Sequence, residues 1–169
     1  MAVLNPDHLF EQATKLSATT RRGAPRQADL RRAVSSAYYG LFHGALAALA
    51  DEFIGVVERG SPRHRLAYRR VDHGELRRLC ERALRPSTTD KYAPFIPVAG
   101  WGPDIVAFSA ALVTLQEKRH SADYDPSFQP KLSDVRADIK TAESALAKLA
   151  AAPAAERKMF LTLLAFAPR

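Results

Sequence analysis

Residues 27 to 53 read QADLRRAVSSAYYGLFHGALAALADEF, a proline-free stretch made mostly of residues that favour helices. Its apolar side chains recur every three to four residues, as in a helix that packs against a core on one side. On a helical wheel of about 100° per residue they form one broad arc. The arc contains Val34, Tyr38, Leu41, Phe42, Ala45 and Leu49. We therefore predict one long core helix from Gln27 to Phe53.

The rest of the chain has the same helical spacing, and strand patterns are nearly absent. A capping residue followed by proline marks two helix starts. Asn5-Pro6 opens a helix that ends near Ser17, and Ser61-Pro62 opens one that runs toward Leu84 with a break near residues 72–74. Further helices are predicted at residues 104–120, 131–150 and 153–166. The sequence therefore predicts an all-α fold.

Two segments interrupt or extend this helical pattern. Residues 86–102 are rich in proline and glycine, which predicts a long surface loop with Phe95 and Trp101 as anchoring side chains. The alanine-rich join at residues 150–155 precedes the last helix. We expect residues 1–150 to form one helical body. Residues 151–169 are expected to form a helical extension that packs on this body or on a partner chain.

Length and composition restrict the class of protein. A chain of 169 residues is one ordinary domain that buries a core without metals or disulfides, so no cofactor is expected. Cys80 is the single cysteine, which fits a reducing compartment. Residues 1–10 lack the pattern of a signal peptide, and no stretch approaches the roughly 18 apolar residues of a membrane span. We expect a cytoplasmic protein without membrane contact.

The positive charge is concentrated in one part of the chain. The formal net charge is +7, and residues 59 to 85 hold nine arginines against three acidic residues, an excess of six. Planar guanidinium groups suit phosphates, so Arg69, Arg70 and Arg77 are candidates for binding RNA or a nucleotide. The alternative is a solvated arginine-rich face that keeps the protein in solution.

A polar stripe lies beside the core arc of the long helix. Arg32, Ser36, Tyr39 and His43 follow i, i+4, i+7 and i+11 spacing, which brings them within about 60° of one another. Such a stripe can line a groove in which arginine binds an anion and histidine transfers protons near neutral pH. The alternative is a half-buried helix flank whose tyrosine and histidine bond locally.

Arg119 lies on the same helical stripe as apolar residues, directly before an acidic turn. A cation in that position needs a partner, and Asp123 or Asp125 can supply it as a structural pin between helix end and turn. The alternative is an arginine that faces a cleft and binds an anion. No metal site is expected, because the histidines lack a helical pair at ligand spacing. Cys80 is expected to be a buried thiol.

Two motifs occur together in this chain: the stretch RRAVSSAYYGLFH at residues 31–43, and Arg119 followed by Ala122-Asp123-Tyr124-Asp125. Together they resemble the motifs of the HEPN superfamily, in particular those of small stand-alone prokaryotic HEPN proteins. His73-Gly74-Glu75-Leu76 is also similar to the start of the third helix in that group. The resemblance covers about residues 27–150. It implies an up-and-down bundle of four to five main helices, with the extra C-terminal helix outside it, and a homodimer.

The resemblance also implies a function. Many HEPN proteins are metal-independent RNases with an Arg-x4-6-His motif, and some are toxins neutralised by a nucleotidyltransferase antitoxin. Here positions 124 to 126 are Tyr, Asp and Pro, so the motif histidine is missing. Acid/base work would then fall to another group such as His43 or His120. In the reading that we favour, Arg119 grips phosphate, Asp123 orients Arg119, Tyr124 stacks or hydrogen-bonds, and His43 is the best candidate for proton transfer.

The leading hypothesis is a HEPN-like protein that binds RNA or a nucleotide as the toxin-like half of a toxin–antitoxin pair. One alternative is a metal-independent RNase that uses a relocated histidine. The other is a non-catalytic adaptor that docks another protein through its last helix and its long loop.

Overall fold

The computed structural model describes residues 4–21, 23–85 and 91–168. These residues contain seven α-helices and two short 3₁₀ turns, at Val56–Glu58 and Ala93–Phe95. The helices are α1 (Pro6–Leu16), α2 (Gln27–Ile54), α3 (Pro62–Tyr68), α4 (His73–Ala83), α5 (Pro103–Tyr124), α6 (Leu132–Ala151) and α7 (Ala154–Ala165). The described part of the chain has no β-strand, only an isolated bridge between Thr20 and Gly23. The all-α prediction is confirmed.

Helix α2 is the centre of a helical bundle, with α1, α3, α5 and α6 packed around it. The predicted core arc is correct, because all six of its side chains are buried. Tyr38 and Leu41 have no exposed surface, and they join a single cluster with Phe108, Leu112 and Phe160 from α5 and α7. Burial of this continuous apolar stripe is the main favourable term that holds the helices together.

Two glycines of α2 allow its neighbours to approach closely. A Cβ atom at Gly40 would lie 2.5 Å from the Phe10 ring of α1. A Cβ atom at Gly44 would lie 2.5 Å from the Leu146 side chain of α6. Both distances are well inside van der Waals contact, so the absence of a side chain at these positions sets how deeply α1 and α6 pack on α2.

The arginine-rich segment is divided between two helices, as predicted. Ser61 caps α3 by accepting a hydrogen bond from the backbone N–H of His64 at 3.1 Å. Asp72 caps α4, and a reciprocal bond between Glu75 and the Asp72 backbone completes a capping box. His64 is fully buried under α3, and its Nε2 atom lies 3.0 Å from Asp51 Oδ1. Asp51 also binds Arg59, so α3 is tied to the end of α2.

Helix α5 is longer than its sequence predicts. Its predicted end at His120 is wrong, because the helix continues to Tyr124 and has Asp125 as its C-terminal cap. Proline disfavours helical geometry in the residue that precedes it. Pro126 therefore excludes Asp125 from the helix, while residues 121–124 stay helical. The additional turn places Asp123 one turn beyond Arg119 on the same face.

The segment before α5 is anchored by one of the two predicted aromatic residues. Trp101 packs edge to face on Phe160 of α7, with ring centroids 5.6 Å apart. Phe95 is 42% exposed, so its predicted anchoring role is wrong. Residues 91–102 contain only one 3₁₀ turn, and residues 86–90 of the predicted loop lie outside the described residues. The backbone N–H of Gly102 donates to Glu156, which joins this segment to α7 a second time.

Helix α7 packs on α2 and α4 of its own chain. Phe160, Leu161, Leu163 and Leu164 are buried there, while Phe166 at its end is exposed. Within the described ranges, no helix is both long and apolar enough to cross a bilayer.

Candidate functional site

Arg119 joins α5 to α2 at one end of the bundle. One of its terminal nitrogens donates a 2.5 Å hydrogen bond to the Tyr39 hydroxyl. Its Nε atom lies 2.9 Å from Asp123 Oδ2, an ion pair whose geometry falls outside that of a hydrogen bond. Of the two predicted partners Asp123 is therefore the one observed, since Asp125 instead accepts hydrogen bonds from Ser127. The Arg119 side chain is only 19% exposed.

Electrostatics keep Arg119 cationic despite this burial. Burial alone lowers its pKa, but the hydrogen bond with Tyr39 and the charge of Asp123 outweigh that effect and raise it. Asp123 is held in turn by the hydroxyl of Ser35, which donates to Oδ1 at 2.6 Å. Ser35 was not predicted as a site residue. It lies 88 positions from Asp123 in the sequence, and no local pattern connects them.

A surface groove of about 630 Å³ lies beside this network. Five of the predicted site residues line it: Arg32, Tyr39, Arg119, Asp123 and Tyr124. The other lining residues are Ala28, Arg31 and Ala122. Three arginines against one aspartate give this lining a net charge of +2. We call it the Arg119 groove.

Neighbouring arginines in the Arg119 groove have different surroundings. Arg31 donates to the carbonyl oxygens of Ala122 at 2.8 Å and Phe128 at 3.1 Å, so it ties the end of α5 to α2. Arg32 is exposed and has no hydrogen bond or ion pair with any residue in the described ranges. The guanidinium of Arg32 therefore forms no ion pair within the described structure.

Tyr124 adds an exposed aromatic surface to the groove. Its side chain is 67% exposed, although it is large and apolar. The His120 ring lies 4.9 Å from its ring centroid, and the Arg119 guanidinium carbon lies 5.9 Å from it. An exposed aromatic ring beside a cation can stack a nucleic-acid base while the cation binds phosphate.

Two histidines form hydrogen bonds with tyrosines next to the groove. His73 Nδ1 lies 2.8 Å from the Tyr38 hydroxyl, and His43 Nδ1 lies 2.8 Å from the Tyr68 hydroxyl. Phe42 lies between the histidines and stacks on His73, with centroids 3.8 Å apart. Sequence analysis did not predict Tyr68 as a site residue. His73 was noted only as part of a family resemblance.

The environment favours the neutral form of both imidazoles. Burial lowers the pKa of His43, and the proximity of His73 lowers it further. Burial also lowers the pKa of His73, helped by the positive charge of Arg119 and partly opposed by Asp72. Of the two histidines, His73 is the one whose pKa responds to Arg119. Burial raises the pKa of Tyr38 and raises that of Tyr68 to about 12, so both phenols remain protonated.

His43 does not line the Arg119 groove. It lies one helical turn beyond Tyr39, with ring centroids 6.2 Å apart. Of the two residues predicted as catalytic, Arg119 therefore lines the groove and His43 does not. Of the predicted polar stripe, Arg32 and Tyr39 line the groove, whereas Ser36 is buried and its hydroxyl donates to Gln12 of α1 at 3.1 Å.

The predicted phosphate contacts of the basic segment are also outside the groove. Arg77 donates to Glu81 at 2.6 Å and to Glu117 at 2.8 Å, so its charge is compensated and it joins α4 to α5. Arg70 pairs with Glu75 at 3.2 Å. Arg69 is exposed and has no ion pair within the described residues.

Neither a metal site nor a reactive thiol accompanies the groove. The described part of the chain brings together no group of three His, Cys, Asp or Glu side chains that could hold a metal ion. Cys80 is buried, and burial raises its pKa to about 12. The thiol is therefore uncharged and shielded at neutral pH.

Comparisons of the chain with protein-family models, with curated proteins and with solved structures found no match.

Proposed function

We propose that this chain is a HEPN-like protein that binds RNA or a nucleotide in the Arg119 groove. The observation that carries the proposal is a cation that forms no ion pair in the described residues, Arg32, beside a fixed one, Arg119, in a lining of net positive charge. Phosphate binds between the two guanidinium groups, and a base stacks on the exposed ring of Tyr124.

Preorganisation makes Arg119 the stronger of the two phosphate ligands. Tyr39 and Asp123 hold its guanidinium on one side, and its remaining N–H groups have no acceptor within the described ranges. A side chain that is fixed before binding loses little conformational entropy when the ligand arrives. Arg32 lacks such contacts, so it contributes mainly charge.

The resemblance supports the remaining parts of the proposal. The chain acts as the toxin-like half of a toxin–antitoxin pair, in the cytoplasm, as a homodimer with a nucleotidyltransferase-type antitoxin as its partner. Exposed arginines of the segment that contains α3 and α4, such as Arg69 between the two helices, attract the polyanion toward the groove through long-range attraction that weakens with salt.

A second candidate function is metal-independent RNA cleavage with a relocated histidine. The observation that favours it is a pair of histidines, His43 and His73, whose surroundings favour the neutral imidazole, and of which His73 is the one whose pKa Arg119 lowers. A neutral imidazole can accept the proton of a ribose 2′-hydroxyl while that oxygen attacks the adjacent phosphorus. The P–O5′ bond breaks, which leaves a 2′,3′-cyclic phosphate, and the departing 5′-oxygen takes a proton from water. Arg119 stabilises the charge that develops on the phosphoryl oxygens. Both histidines contact Tyr39 of the groove, with ring centroids 5.8 Å apart for His73 and 6.2 Å apart for His43.

One gel tests both candidates. Purified protein is incubated with a labelled mixture of RNAs in EDTA, and cleavage and retardation are read together. Arg119→Ala and Arg32→Ala should each weaken the retarded complex. Lys140→Ala is the matched control, since Lys140 is an exposed cation of α6 with no ion pair in the described residues.

The outcomes separate the hypotheses. Retardation without cleavage supports the binding protein. Cleavage that is lost in His73→Ala or His43→Ala supports the RNase. Wild-type protein that neither retards nor cleaves RNA at low salt, and binds no nucleotide, contradicts both and favours the adaptor.

A further inference from the structure

A second groove lies between α1 and α6 and shares no lining residue with the Arg119 groove. It has a volume of about 660 Å³. On each helix the lining residues recur at i, i+3, i+4 and i+7, which places them on one helix face. They are Asp7, Phe10, Glu11 and Thr14 on α1, and Glu143, Leu146, Ala147 and Ala150 on α6, with Lys15 beside them. We call this feature the α1–α6 groove.

The floor of the α1–α6 groove is apolar. Phe10 is buried and Leu146 is half-buried, and both pack against α2. Ala147 and Ala150 are exposed, and their side chains end at Cβ. The distance between packed helices depends on the side chains at their contact. The two exposed alanines therefore allow a further helix to approach α6 closely.

The two helices that form the walls leave a space above α2. Both α1 and α6 pack mainly on α2 and contact each other much less. A trough between two helices is a surface on which an amphipathic helix packs with its apolar face, in the helix-in-groove mode of recognition. The shape of the groove therefore favours a helical segment as its occupant.

The walls carry negative charge that is not fully engaged. Asp7, Glu11 and Glu143 border the groove, with Lys15 as the single cation among its lining residues. Lys15 lies 3.8 Å from Glu11, whereas Asp7 and Glu143 form no ion pair in the residues that the structure describes. The lining has a net charge of −2, on a chain whose total is +7. A cationic segment is therefore repelled by the net charge of the chain but attracted to this groove.

We propose that the α1–α6 groove binds a cationic amphipathic helix of a partner protein. Apolar side chains of that helix lie on Ala147 and Ala150, and its lysines or arginines lie beside Asp7 on one wall and Glu143 on the other. Two acidic walls select a helix whose apolar stripe has cations on both sides. The inference uses none of the residues of the Arg119 groove, so it stands independently of the proposed function.

Three labelled peptides of about 18 residues test the proposal by fluorescence anisotropy, since shorter helices are only marginally stable in water. The first peptide repeats leucines at i, i+3, i+4 and i+7, with lysines on both sides of that stripe. The second has the same composition in shuffled order and lacks an apolar face, and the third has glutamate in place of every lysine. The wild-type protein should bind the lysine peptide about tenfold more tightly than either of the others at low salt, and added salt should weaken the binding.

Two variants of α6 probe the floor and one wall of the groove. Ala147→Arg places a long cation on the floor and should weaken binding of the lysine peptide about tenfold, whereas Ala137→Arg, the same change elsewhere on α6, should bind like the wild type. Glu143→Lys should also weaken binding of the lysine peptide, but it should bind the glutamate peptide more tightly than the wild type does. A misfolded variant cannot show this gain. Asp134→Lys is the matched control, because Asp134 is an exposed acid on the other flank of α6.

Three results with the peptides would overturn the proposal. They are a wild-type protein that binds the lysine peptide no more tightly than the shuffled one, an Ala147→Arg variant with unchanged affinity for it, and a Glu143→Lys variant with an unchanged preference between the lysine and glutamate peptides. Sedimentation velocity of the protein alone tests the other occupant. Self-association that Ala147→Arg abolishes would assign the groove to a second copy and would equally overturn the proposal. RNA retardation by Ala147→Arg is measured in parallel, and loss of peptide binding with retained RNA binding supports a site separate from the Arg119 groove.

Discussion

Arg31 and Arg32 are consecutive residues with opposite surroundings, so replacing each by alanine separates stability from binding. Arg31 donates three hydrogen bonds to backbone carbonyls, of which the bond to Pro126 is long at 3.5 Å and the two short ones, to Ala122 and Phe128, measure 2.8 Å and 3.1 Å. Hydrogen bonds made by a charged group contribute about 1.5–3 kcal/mol, and we take about 3 kcal/mol for this pair because both come from one side chain. In a domain of this size about 1 kcal/mol corresponds to about 2–4 °C in Tm. Arg31→Ala should therefore lower Tm by about 6–12 °C.

Arg32→Ala should behave differently, because Arg32 has no partner in the described structure. A surface substitution of this kind changes stability by less than about 0.5 kcal/mol, or about 2 °C in Tm. Loss of one phosphate contact should weaken single-stranded RNA binding about tenfold at low salt, equivalent to ~1.4 kcal/mol. It should also reduce the slope of log affinity against log salt by about 0.7.

Circular dichroism melts measure the change in Tm. Fluorescence anisotropy with a labelled single-stranded RNA, repeated over a series of salt concentrations, measures the affinity and its salt slope. The reasoning is refuted if Arg32→Ala binds RNA with wild-type affinity and an unchanged salt slope. An Arg31→Ala variant that melts with the wild type would equally refute the tie between α2 and α5.

Three further predictions concern the core and its titrating groups. The free energy of unfolding should fall as the pH drops below about 6.5. The pKa values of His43 and His73 are lowered in the folded state, so the unfolded chain binds more protons at low pH. Urea titrations over a pH series should show this decline, and a double variant with glutamine at both positions should reduce it. Gly40→Ala should destabilise the protein by about 1–3 kcal/mol, since the new Cβ meets the Phe10 ring. In a double-mutant cycle measured by thermal melts, Gly40→Ala should cost less in the Phe10→Leu background than in the wild type. Cys80 should resist alkylation at neutral pH until denaturant unfolds the chain, because its pKa is about 12 and it is buried; modification of the folded protein at the rate of a free thiol would contradict this.

Local chemistry explains why most of the fold could be predicted from sequence. The start of α1 follows from Asn5-Pro6, and the break between α3 and α4 follows from the capping box at Asp72. These signals depend on a few adjacent residues. The end of α5 was placed too early, because an acidic turn and a proline suggest a stop without fixing which of four residues ends the helix.

The candidate site could be predicted only in part. The helical spacing placed Arg32 and Tyr39 on one stripe, and α5 brings Arg119 beside them. The contacts of Tyr68 with His43 and of His73 with Tyr38 join different helices, and the paired residues are 25 and 35 positions apart in sequence. Periodicity within one helix carries no information on such contacts, because they depend on how the helices cross.

The glycines at positions 40 and 44 also determine how the bundle is aligned. They are four residues apart, which corresponds to about one turn, or ~6 Å, along α2. One receives a side chain from α1 and the other a side chain from α6. A shift of either helix by one residue along α2 would press its side chain against a Cβ atom. The two glycines therefore favour the observed axial alignment of these three helices over compact forms in which the same helices pack out of register.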